Sequence, residues 1–297
     1  IRRLELVTLK MGWWREFRRH KLAVIGLFVL IVLHLGAAFA DWLAPYSPEQ
    51  IEPSNPLVPS SPAHWLGTDD VGRDTLSRLL YGGRVSLAVG FLSMLLSIGL
   101  GILIGTLGGY LGGWVDMVLM RVTDAMMSIP RLVLLIVLMA IFQGGVATVV
   151  VAIGLTSWME VARLVRSEVL VHRSKVFVEA AVSAGASGWW IVSRHILPQA
   201  IGSIMVAATL GVARAVLSES SMSFLGLGVQ PPMPSWGNML SNAQRYIWEA
   251  PEQAVYPGLM IFITVLSYNF LGDGLRDALD PKAHLPKKMR KSGKSDQ

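Results

Sequence analysis

The 297-residue chain contains no cysteine. That excludes a disulfide framework, a thiolate metal site and a cysteine nucleophile. Charge is also scarce. Asp, Glu, Lys and Arg make up 15% of the residues, against about 25% in an ordinary soluble domain. Hydrophobic residues make up 53%, more than one soluble core of this length can cover. They gather into long uncharged runs, of which Leu22–Ala40 and Val85–Val115 are the clearest. Such runs belong to a chain that crosses a bilayer. No His-Glu-x-x-His helix and no Gly-x-Ser-x-Gly elbow occurs. Gly293-Lys294-Ser295 copies the end of a phosphate-binding loop, but Lys288 stands where its first glycine is required. Any energy for work must therefore come from a partner.

What is present predicts an all-α membrane protein with about six transmembrane helices. The spans are Leu22–Ala40, about 85–108, Asp116–Phe142, Val146 to about Val165, Pro198 to about Phe224, and Pro257–Leu271 with its flanks. Each is near the ~20 residues that a bilayer core demands, and helices alone satisfy their own backbone in lipid. Leu22–Ala40 lacks the short core and cleavage site of a signal peptide, so it reads as a retained helix. The chain opens on Ile1 rather than Met, and a few residues are expected to precede it.

Orientation follows from Lys and Arg. Residues 1–21 hold seven, 160–197 five and 273–297 seven, whereas 41–84 hold three and 223–256 one. With six spans the basic segments share one side, which places both termini and the 160–197 loop in the cytoplasm. The net charge of +6 is thus a topology signal and does not point to nucleic acid. Four regions follow: a cytoplasmic segment 1–21, a first helix with an external segment 22–84, a membrane domain 85–277 containing a cytoplasmic loop 167–197, and a basic tail 278–297. The external stretches 41–84 and 226–256 are rich in proline and read as ordered excursions.

The cytoplasmic loop is the most informative segment. Glu179-Ala180-Ala181, Gly185 and His195-Ile196-Leu197-Pro198 read as two short helices broken near Gly185–Gly188, with Pro198 opening the fifth span. A short element lying on a cytoplasmic face suits docking into a partner's groove. The spacing resembles the signature of permease subunits of bacterial ABC importers: Glu-Ala-Ala, three residues, Gly, nine residues, a hydrophobe, any residue, Leu-Pro. Glu179, Ala180, Ala181, Gly185, Leu197 and Pro198 fall on it, and His195 departs from it. Leu66–Asp74, Ser77-Arg78, Tyr81–Leu87, Ser223–Gly228, Gln230-Pro231-Pro232, Trp236-Gly237 and Gly272–Pro281 are similar to the C-type permease of the dipeptide, oligopeptide and nickel group.

The resemblance implies a type I importer permease fold in a bacterial inner membrane. It also implies a B-type permease beside this chain, two ATPases that use ATP and Mg, and an external solute-binding protein. The loop would insert into an ATPase as a coupling helix. The cargo implied is a di- or oligopeptide, with nickel chelates, glutathione and oligosaccharides as alternatives. This chain would do no covalent chemistry and hold no cofactor or metal.

The remaining candidates are polar residues. Asp69, Asp70, Arg73 and Asp74 lack the alternation and closing Glu of a calcium loop, so they are expected to shape the external face where the receptor docks. Arg121 and Asp124 share a helix face and can pair. Arg214 and Glu219 in the fifth span either line the path or its gates or pair between helices. Gly101, Gly105, Gly109 and Gly113 suit close packing within the permease pair. Trp13 and Trp14 suit an interfacial anchor, and His34 a tolerated polar residue between helices. A secondary transporter would show inverted repeats, and an intramembrane enzyme a nucleophile with its base. Neither is found.

Overall fold

The computed structural model describes residues 14–142 and 145–279; Trp13, Pro281 and the basic tail beyond 279 lie outside them. Among the described residues every regular element is helical: α1 (Lys21–Ala38), α2 (Ala40–Leu43), α3 (Thr75–Leu111), α4 (Gly113–Met127), α5 (Arg131–Ile141), α6 (Val146–Arg173), α7 (Val176–Ser183), α8 (Gly188–Ile191), α9 (Leu197–Phe224), α10 (Trp236–Ala243) and α11 (Glu252–Leu279). Five helical runs are long and apolar enough to cross a bilayer, and the pair α4–α5 makes a sixth if counted as one bent span.

That pair is where the sequence-based spans differ most. The run Asp116–Phe142 reads as one helix, but its two halves meet at 86°. Pro130 is the cause. It has no N–H for the ladder and disfavours helical backbone at Ile129, so α4 stops at Met127 and α5 restarts at Arg131. The second span differs in its ends. Asp74 caps α3 through Ser77 N–H at 2.8 Å, so the helix begins ten residues before Val85 and runs for 37. The Gly-rich turn shrinks to Gly112–Gly113, both with positive φ. The stretch 226–256 contains the helix α10, which its prolines hide.

The core is built around α3, α6, α9 and α11. The glycine stripe packs within this chain rather than against a second permease. A Cβ at Gly101 would sit 2.5 Å from Val161 Cβ, and one at Gly109 2.9 Å from Val169 Cβ, with Gly105 equally close to Ala162. Three missing side chains on successive turns let α6 lie directly on α3. Gly113 is in the turn and meets nothing. On the other flank α11 carries α1: a Cβ at Gly26 would meet Ser267 O at 2.7 Å. His34 joins the same two helices, with Nε2 3.3 Å from the Tyr268 hydroxyl. Valines and isoleucines of α6, α8 and α9 (Val165, Val169, Ile191, Val216), with Ile196 just before α9, close the interior between these helices.

α10 is the wedge on the outer side. Ser235 and Asn238 form a capping box at its start. Trp236 is buried and donates from Nε1 to Leu79 O at 3.0 Å. Outside the spans, Asp41 is held below the ordinary carboxylate range by hydrogen bonds from Arg84 and then Tyr81, which fasten the end of α1 to α3.

Candidate functional site

The 167–197 loop folds as two short helices broken near Gly185–Gly188, as its spacing predicts. α7 ends in a Schellman turn. Ala186 N–H donates to Ala181 O at 3.1 Å and Gly185 N–H to Val182 O at 2.9 Å. The turn requires left-handed backbone at Gly185, where φ is +78°, and any Cβ there is strained. Ala181 and Ala186 pack against the core across the turn. Ser187 then caps α8 through Trp190 N–H.

Val178, Ile191, Val192 and Ile196 are buried and hold this segment against α6 and α9. The opposite face shows Val176, Phe177, Val182 and Trp189 to the exterior. Glu179 is exposed beside them, and its carboxylate has no partner among the described residues. His195 replaces a hydrophobe, and its ring packs as one would: edge-on to Trp190 at 4.9 Å and tilted against Phe177 at 6.1 Å.

Pro198 lies in the first turn of α9, as expected, but the helix does not begin afresh there. The helical run begins at Gly188, and Val192–Ile196 is wound as a π-helix just before Leu197 and Pro198. A wider turn there accommodates a proline with no N–H to give and a ring that crowds the preceding carbonyls. The segment also touches the inner end of α3. A Cβ at Gly188 would lie 2.7 Å from Tyr110 Cε1, and the Arg173 guanidinium stands 5.7 Å over the same Tyr110 ring.

The acidic 66–74 loop is framed from within. Asp69 Oδ1 accepts from Val71 N–H and Arg73 N–H, and Oδ2 accepts from Arg73 Nε at 2.7 Å. Asp74 receives His64 Nδ1 at 2.9 Å and the Ser77 hydroxyl at 2.7 Å. Arg73 and Asp74 are buried, so a receptor could not touch Asp74 and could reach little of Arg73. Asp69 and Asp70 are partly exposed. Gln253 ties the loop to α11, donating to Thr68 O and accepting from Thr75 Oγ1.

The intramembrane charges separate. Asp124 does not pair with Arg121; it accepts from Arg163 Nη2 at 2.6 Å. Arg121 points outward without a hydrogen bond or ion pair among the described residues. About two turns from Asp124 along α4, Asp116 takes both prongs of Arg166, at 2.5 and 2.6 Å. These two bridges clamp α4 to α6. Arg214 and Glu219 lie in different surroundings although five residues apart. Arg214 meets Glu160 at 2.9 Å in the open. Glu219 is fully buried and receives the hydroxyls of Ser86 at 2.8 Å and Ser223 at 2.7 Å. Its place is inside the α3–α9–α10 junction, where it pairs between helices.

Sequence reasoning passed over Asp116, Glu160, Arg163, Arg166 and Glu168. Glu160 alone left a trace, as a carboxylate in the middle of an apolar run.

Two family models match the chain. Residues 97–285 match the binding-protein-dependent transport system inner membrane component, and residues 11–59 match the N-terminal TM domain of oligopeptide transport permease C. The chain belongs to the binding-protein-dependent transport permeases. It is a C-type, multi-pass inner-membrane permease subunit of an ABC importer. Among curated relatives it is 46% identical to the glutathione transport system permease protein GsiD of Pectobacterium atrosepticum over 273 residues, 91% of this chain and 90% of that one. It is 46% identical to GsiD of Shigella flexneri over 271 residues, 91% and 89% of the two chains. In fold the permease resembles an inward-facing structure of the MetNI methionine ABC transporter, with a TM-score of 0.56 at 20% identity over 68% of this chain and 96% of that chain.

Proposed function

We propose that this permease forms half of a translocation path for short peptides, with a homologous B-type permease forming the other half. Two ATPases, each using ATP and Mg, dock on the cytoplasmic side, and a solute-binding protein delivers cargo to the outer loops. Both termini and the α7–α8 segment are cytoplasmic, in keeping with the excess of Lys and Arg at 1–21, 160–197 and 273–297. Lipid surrounds the rest. The peptide class rests on the two glutathione permeases above, since glutathione is a tripeptide.

The observation that carries the mechanism is the α7–α8 turn: rigid at Gly185, anchored by Val178 and Ile191, apolar on its outer face, with a free carboxylate at Glu179. Closure of the ATPase pair pushes on this segment. The push passes through Gly188 to Tyr110 on α3, and through the continuous helical run into α9. The cavity between the permeases then opens alternately to each side. Residues of this chain transmit force and shape the path; hydrolysis belongs to the ATPases.

The test is uptake by the purified complete transporter in proteoliposomes with its receptor. Labelled glutathione or a dipeptide should accumulate only with ATP inside. Gly185→Val should leave ATP hydrolysis running while uptake falls at least tenfold, about 1.4 kcal/mol of coupling. Uptake without ATP, or normal uptake by Gly185→Val, overturns the coupling scheme. Uptake of nickel chelates or oligosaccharides in place of peptides corrects the cargo.

A further inference from the structure

A cleft of about 790 Å³ lies between α6, α9 and α11, within the ~300–1,000 Å³ typical of small-molecule sites. Its polar wall includes Glu160, Glu168, His172, Ser203, Arg214 and Arg276. Glu160 is halfway along α6 and pairs with Arg214, which lies inside the fifth span. The two side chains remain 49% and 52% exposed. A charge inside a span tends to face water or a polar partner.

At one end of the cleft Arg214 pairs with Glu160, and Arg131, outside the cleft lining, acts electrostatically on both. Arg131 Nη2 donates to Ser157 at 2.7 Å, while its buried Nε has no acceptor among the described residues. Two turns further along α6, about 12 Å away, Glu168 accepts from the Ser203 hydroxyl at 2.6 Å and faces His172 Nε2 at 3.5 Å. Arg276 lines the cleft from α11 without an ion pair among the described residues.

We infer that this cleft is a binding subsite for a short zwitterionic peptide. Arg214 takes the carboxylate and Glu168 takes the ammonium. Glu160, the partner of Arg214, and Glu168 are eight residues apart on α6, about 12 Å of helix rise, and an extended peptide advances ~3.3–3.6 Å per residue, so this separation fits three or four residues. The inference builds on the peptide reading above and adds where in the permease the cargo is held.

The test uses the complete transporter in nanodiscs without its receptor, with equilibrium binding of radiolabelled trialanine. Wild type should bind saturably. Arg214→Ala and Glu168→Gln should each weaken binding at least tenfold, the loss of one charge-assisted contact, while Arg214→Lys retains most of it. C-amidated trialanine should bind wild type at least tenfold more weakly and lose nothing further in Arg214→Ala. The amidated ligand needs no variant, so it decides the matter even if Arg214→Ala misfolds. Equal binding of free and amidated peptide overturns the subsite. So does a wild-type transporter that imports trialanine with its receptor but does not bind it in this assay; the peptide reading then stands. A transporter that imports no peptide at all overturns both.

Discussion

Glu219 on α9 accepts a hydrogen bond from Ser86 on α3 at 2.8 Å, across 133 residues of chain. The same Ser86 oxygen accepts from Trp236 N–H at 3.2 Å, so one buried carboxyl organises three helices. Glu219→Ala would leave Ser86 and Ser223 hydroxyls without their acceptor. Each such group costs about 1–3 kcal/mol. The detergent-solubilised protein should therefore melt several degrees lower, while Glu219→Gln, which keeps an acceptor oxygen, should lose much less. Equal melting of wild type and Glu219→Ala would show that the cluster does not hold the junction.

Gly105 and Gly99 lie on the same helix and give a controlled comparison. Gly105 presses on Ala162 and Val165, whereas a Cβ at Gly99 meets nothing. Gly105→Leu should force α3 and α6 apart and destabilise by about 1–3 kcal/mol. Gly99→Leu should be neutral. Thermal melting of the two variants checks this, and similar melting by both would refute the packing account.

Asp116 and Arg166 should be energetically coupled. A double-mutant cycle with Asp116→Asn and Arg166→Gln should return an interaction of about 0.5–3 kcal/mol. The same cycle on Arg121 and Asp124 should return nothing measurable, because Asp124 faces Arg163.

His195→Leu should retain transport. The ring makes packing contacts with Trp190 and Phe177, and leucine restores the hydrophobe usual at that position. Loss of uptake in this variant would assign the imidazole a polar role.

Topology is open to direct labelling, because the chain has no native thiol. Ala63→Cys, exposed on the outer segment, should react with an impermeant maleimide added outside intact spheroplasts. Reaction only after the cytoplasmic face is opened would invert the orientation.

The helices were legible wherever hydrophobic length alone decides, as in α1, α6 and α11. Legibility failed where one residue acts against its surroundings. Pro130 splits an otherwise apolar run, Asp74 starts α3 inside a polar stretch, and the π-helical turn before Pro198 continues a helix that the proline alone would begin. The α7–α8 segment was readable because its constraints are local: the Schellman turn ties Ala181, Gly185 and Ala186 within six positions. The ion pairs were not. Asp116 and Arg166 are 50 residues apart, and no spacing rule connects them; the neighbour at three residues, Arg121, is the wrong partner for Asp124. Burial misled in the outer loop as well, where an acidic stretch that looks like surface turns Asp74 inward to cap a helix.

α3 spans 37 residues, about 55 Å, without a break. Its first turn is fixed to the outer loop by Asp74, and its last turn rests on Gly188 through Tyr110. The 66–74 loop and the α7–α8 segment are therefore at the two ends of one rod. Tilting such a rod by about 5° about its middle moves each end by about 2 Å, in opposite directions. Whatever seats itself on one face of the membrane is mechanically felt at the other, with no relay of side chains in between.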